Sequence, residues 1–153
     1  MVIGTLAPVA AAGGLSPRQR VAAEFARRGR PAVVRGCVDL LEGRGVDEDL
    51  LVALVGPPAE YVLGGREGGA DGHWPRVWAA RVLLHAWDDS ATAAVICAVG
   101  DPAWRVREMA LKVIARHRLG DALDLAVGSA QDPVERVRTA SARAVTALTA
   151  AGA

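Results

Sequence analysis

The sequence predicts an all-α chain organised as a solenoid of antiparallel helix pairs, and three observations carry that expectation. First, DPAWRVR at 101–107 recurs as DPVERVR at 132–138, with five of seven positions identical at a separation of 31. Second, steps of 31 align Arg76, Arg107 and Arg138, preceded by Pro75, Val106 and Val137. They also align Ala79, Ala110 and Ser141, then Val82, Val113 and Ala144, then Leu83, Ile114 and Val145. Those offsets of 4, 7 and 8 follow one face of an α-helix, so the repeat carries a core stripe. Third, the chain is 52% hydrophobic but only 4% aromatic, and its Ala, Val and Leu suit closely packed helices better than a β-sandwich. At 153 residues it is long enough for one domain with a real core.

In chain order, residues 1–14 read as a flexible N-terminus and 15–153 as a single helical repeat domain. SPRQRVAAEFARRG (16–29) is an amphipathic helix with Val21, Ala22 and Phe25 inward. Around Arg35 the stripe continues through Val34, Val38, Leu41 and Glu42, and VDEDLLVALVG (46–56) is the paired second helix, capped by Asp47 or Asp49. The step from Arg35 to Arg76 is 41 rather than 31, which places an insertion of about ten residues at 64–72, where GGREGGADG is five-ninths glycine and predicts a mobile loop. The next helix carries Trp74, Trp78, Arg81 and His85 at offsets 0, 4, 7 and 11, and Ser90 opens its partner. Asp101 and Asp132 are expected N-caps with Pro102 and Pro133 at the first helical position. Gly100 and Gly120 are expected to end helices through left-handed turns, and Asp121 to begin another second helix. Small Ala79, Ala110 and Ala142 allow close helix approach. The last unit shows only a first helix, PVERVRTASARAVTALTA (133–150), and self-association is expected if its outer face is apolar.

These residues resemble HEAT repeats, in particular the short bacterial kind first noticed in phycobilisome lyases. In that family an Asp leads an Arg by six positions, with an apolar residue just before the Arg. Asp101 with Val106 and Arg107 matches, as does Asp132 with Val137 and Arg138. The match runs well from about residue 70 to the end and more weakly over 31–63. The first full unit departs from it: Ala70 stands at the Asp position and Pro75 replaces the valine, so the ladder is expected to begin at the next unit, with Arg76 in register ahead of it. The resemblance implies a right-handed solenoid of period 31. Independently of the family, a guanidinium at this spacing bridges the capping Asp and nearby carbonyls, satisfying polar atoms that inter-repeat turns would otherwise bury. Asp101, Arg107, Asp132, Arg138 and Arg76 therefore read as structural.

No chemistry of catalysis is legible. His73, His85 and His117 lack the i+4 partners of a zinc face, nucleophile-elbow and P-loop patterns are missing, and GGREGG lacks the preceding strand of a dinucleotide fingerprint. The expectation is a non-enzyme without metal or cofactor. Cys37 and Cys97 lie in apolar helical pattern without a CxxC neighbour and read as two buried, reduced thiols. No apolar run of 18 residues spans a bilayer and no cationic start precedes an apolar stretch, which reads as a cytoplasmic protein.

Architecture then predicts function by class: a scaffold presenting a solenoid surface to a protein or peptide. Asp47, Glu48, Asp49, Asp89, Asp121 and Asp124 near the second-helix starts suggest a basic partner, although helix capping produces the same row. Trp74, Trp78, Arg81, Trp87 and Trp104 are the candidate partner-binding residues, because exposed Trp and Arg are enriched at hot spots; the competing reading is that these side chains cover the core. HAWDD followed by DPAWRVR is superficially similar to segments of the HEAT-like alkylation-repair glycosylases, making DNA binding or repair the alternative. Against it, Ala91 stands where their motif has Asp. Charge opposes it too: +5 over 1–35 (six Arg, one Glu), −7 over 36–101 (four Arg, eleven acids) and +3 thereafter leave no continuous phosphate groove.

Overall fold

A computed structural model describes residues 14–151 of the chain, without the side chain of 151; residues 1–13 of the expected flexible N-terminus lie outside the described residues. These residues are all-helical: α1 (Pro17–Arg28), α2 (Arg30–Leu41), α3 (Glu48–Val55), α4 (Pro57–Leu63), α5 (Trp74–Val82), α6 (Thr92–Ala98), α7 (Trp104–His117), α8 (Leu123–Gly128) and α9 (Glu135–Ala151). The 31-residue period is visible in the elements. Short 3-10 turns at Asp89–Ala91 and Gly120–Ala122 lead directly into α6 and α8, 31 residues apart.

Helices α2, α5, α7 and α9 pack against one another in succession, with α6 against α7 and α8 against α9. The aligned stripe supplies the contacts: Val106, Ala110, Val113 and Ile114 of α7 and Val137 and Ala144 of α9 are fully buried. In the 31-step series of Ala79 and Ala110 the third member is Ser141, whose Oγ donates to the Ala126 carbonyl at 2.6 Å and so enters the core with its hydroxyl satisfied. Ala142, expected at that contact, is exposed, one residue out of register. The exposed side chains of α9 include Arg138, Thr139, Arg143 and Thr146, so its outer face is largely polar, not the apolar one that would favour self-association.

Several local expectations are corrected. Ser16 and Gln19 close a reciprocal capping box on α1, but Ala22 faces solvent, and Glu24 is buried in its place because Arg27 and Arg28 neutralise it at 3.3 and 3.1 Å. Asp47 caps α3 through Leu50 N–H at 3.0 Å. Helices α7 and α9 start at Trp104 and Glu135, two residues after Pro102 and Pro133: Asp101 and Asp132 accept from the N–H groups of Ala103 and Val134, closing Asx turns ahead of the helix. Asp121 makes no capping bond. Helix α7 ends through Arg118, at φ +53°, rather than through Gly120. The insertion folds as a 3-10 turn at Arg66–Asp71 in which Glu67, Gly68 and Gly69 all have positive φ, a backbone path that explains its glycine content.

Candidate functional site

The Asp–Arg spacing generates a repeated polar clasp. Arg107 donates from Nε and Nη2 to both oxygens of Asp132, at 2.8 and 3.1 Å, while its Nη1 donates to the carbonyls of Asp101 and Pro102 at 2.9 and 3.1 Å. Arg76 repeats the fork one unit earlier, holding Asp101 at 2.8 and 3.1 Å and the Gly72 carbonyl at 3.1 Å. The first carboxylate of the ladder is thus Asp101, as the repeat spacing suggests, but its first arginine is Arg76 despite Pro75. Each arginine ties its own turn to an Asp 25 residues ahead, so the clasp joins consecutive units. Arg138 reaches only the Asp132 carbonyl, at 2.8 Å. Paired guanidinium hydrogen bonds hold the Asp132 carboxyl below the usual carboxylate range.

The tryptophans do not form one patch. Trp78 is 6% exposed and belongs to the core, stacked on Trp74 at 5.7 Å. Helix α5 ends at Val82, before the stripe that was expected to continue to His85, and Arg81 and Trp87 sit at its far end. There Trp87 stacks on His117 at 4.3 Å and donates from Nε1 to Asp89 at 3.1 Å. Trp74 and Trp104 do converge, through a residue that composition did not single out. The Arg105 guanidinium lies over Trp104 at 4.4 Å and over Trp74 at 5.4 Å, and Arg136 lies over the same Trp104 ring at 5.7 Å. The repeat itself could have revealed the array: Trp74, Arg105 and Arg136 are separated by 31 each, at the starts of α5, α7 and α9.

The two cations of this array differ. Arg136 donates to Glu108 at 3.2 Å, and Lys112 lies at 3.2 Å from the same carboxylate. Among the described residues Arg105 makes no ion pair, so its planar fork is oriented by two indole faces while its N–H donors stay unpaired. Such a group suits bidentate capture of a carboxylate or phosphate.

No protein family, curated protein or solved structure matches this chain. The described residues contain no cluster of metal-ligating side chains, and none of their helices is long and apolar enough to cross a membrane. Cys37 is buried, which pushes its thiol up to about 12, whereas Cys97 is exposed and corrects the expectation of two buried thiols.

Proposed function

We propose that the chain is a non-catalytic interaction module, a short HEAT-type right-handed solenoid, that docks a protein partner on the array of Trp74, Arg105, Trp104 and Arg136. The observation that carries this reading is the Arg105 fork lying over two indole rings with no carboxylate partner among the described residues. The successive packing of α2, α5, α7 and α9 and the clasp repeated at 25-residue reach support the solenoid. The partner's chemistry is read from the array itself, whose unpaired group is the Arg105 guanidinium. Asp47 caps α3 and lies 3.5 Å from Arg28, and Asp89 accepts from Trp87, so two carboxylates of the acidic row serve the fold. The available donor is cationic, and the partner presents an acidic side chain beside an apolar surface.

Affinity capture from a nuclease-treated lysate, with wild-type and Arg105→Ala chains compared, tests the reading. A protein retained at moderate salt by the wild type, and weakened about 30-fold or more by Arg105→Ala as for a hot spot of ~2 kcal/mol, is the expected result. Capture that disappears with nuclease, or that ignores Arg105→Ala, overturns it; the nuclease-sensitive outcome promotes DNA binding.

A further inference from the structure

Helix α7 separates two ends of the molecule by roughly 20 Å at 1.5 Å per residue. The indole and guanidinium array occupies one end, and at the other a recess of about 240 Å³ lies between α1 and the C-terminal ends of α5 and α7. Buried Val21 and half-buried Phe25 and Leu84 form its apolar wall, and exposed Arg18, His85 and Arg116 form its rim. His117 is fixed at its edge: Nε2–H donates to the Leu83 carbonyl at 2.7 Å while the ring stacks on Trp87.

Several cations of the molecule are matched by carboxylates: Arg28 with Glu24, Arg44 with Asp39 and Glu42, Arg76 with Asp101, Arg107 with Asp132, Arg136 with Glu108. Around the recess, Arg18 of α1, Arg81 of α5 and Arg116 of α7 have no salt-bridge partner among the described residues, and no carboxylate lines the cavity. Arg81 is half-buried, one turn before His85. The imidazole of His85 is held below its ordinary range first by partial desolvation against the recess wall, then by the repulsion of Arg18, Arg116 and Arg81, so these cations act on a common point. Three helices bring like charges together at a mixed polar and apolar cavity, where the field concentrates on whatever anion enters.

We propose that this recess binds a small organic anion, with a phosphate or carboxylate held by Arg18 and Arg116 beside His85, and an apolar body seated on Val21, Phe25 and Leu84. The site is independent of the docking array: it lies at the opposite helix ends and shares no residue with it. Guanidiniums from α1 and α7 supply donors from two directions, and the apolar wall selects an anion attached to a ring or short chain over a bare inorganic ion.

Titration of the full, isotopically labelled chain with phenyl phosphate, benzoate and inorganic phosphate, followed by the histidine ring resonances, tests this. Phenyl phosphate or benzoate should shift His85 saturably, leave His73 unmoved, and raise the pKa of His85 as the anion favours the imidazolium. The tighter of the two assigns the head group as phosphate ester or carboxylate. Inorganic phosphate should bind at least about tenfold more weakly, and exposed Arg116→Ala should weaken the organic anion about tenfold. A lack of saturable change at His85 up to about 10 mM of either organic anion, a value far too weak for a site, overturns the proposal. So does equal binding of inorganic phosphate, or indifference to Arg116→Ala in a variant with unchanged thermal unfolding.

Discussion

Arg107→Ala removes the most completely made clasp in the molecule. The arginine side chain is 17% exposed and the Asp132 side chain 9%, so truncation leaves a nearly buried carboxylate holding only the Val134 N–H, and two carbonyls without their donor. Breaking a fully buried pair costs roughly 3–5 kcal/mol and an exposed one roughly 0–1. The clasp is mostly buried and Asp132 keeps one backbone donor, which places the loss at about 2–3 kcal/mol, a fall of roughly 5–10 °C in Tm for a chain this size. Arg138→Ala, with one exposed carbonyl bond, is the control and should cost about 0.5 kcal/mol or less.

Urea and thermal unfolding by circular dichroism at pH 7 measure both variants, and acid titration adds a signature specific to the pair. Because the folded-state pKa of Asp132 is depressed, its contribution is complete above the unfolded value of about 3.9 and disappears as pH falls through the lower folded value. The gap between wild type and Arg107→Ala should therefore be constant from neutral pH to about 5 and close on further acidification. Equal losses in the two variants, or a gap that persists unchanged into strong acid, would refute the account of the clasp as a joint between units.

Two further substitutions and labels probe packing. A Cβ on Gly36 would lie 2.2 Å from Cδ2 of Leu50, itself 1% exposed, so Gly36→Ala should lower stability in urea by about 1–3 kcal/mol through overpacking; an unchanged midpoint would show that Leu50 has room to move. A thiol reagent at pH 8 should modify exposed Cys97 promptly and leave Cys37, with its thiol near 12, protected until unfolding, so Cys97→Ser should abolish the fast phase. Two equally fast thiols would contradict the burial of Cys37.

Legibility in the sequence was uneven for physical reasons. The α7 and α9 faces were readable because Val106, Ala110 and Val113 and their 31-step partners obey helical periodicity, a one-dimensional property. The cap reading failed at Asp101 and Asp132 because one short side chain accepts equally well from a helix N–H or from an Asx turn, and the choice is set by the arginine that claims both carboxylate oxygens from 25 residues away. The stripe of Trp74, Trp78, Arg81 and His85 failed because α5 terminates after Val82, where Leu83 becomes fully buried and turns the chain.

Composition and repeat spacing alone determined that the chain is helical, where its later helices lie, and which residues could join one unit to the next. Tertiary structure decided which tryptophans meet, that Arg105 lies between two of them, that Cys97 faces outward, and that Arg18, His85 and Arg116 surround one recess. The division follows from reach: periodicity encodes which face of a helix is apolar, but proximity between α1, α5 and α7 depends on packing angles and helix ends, which only the assembled core specifies.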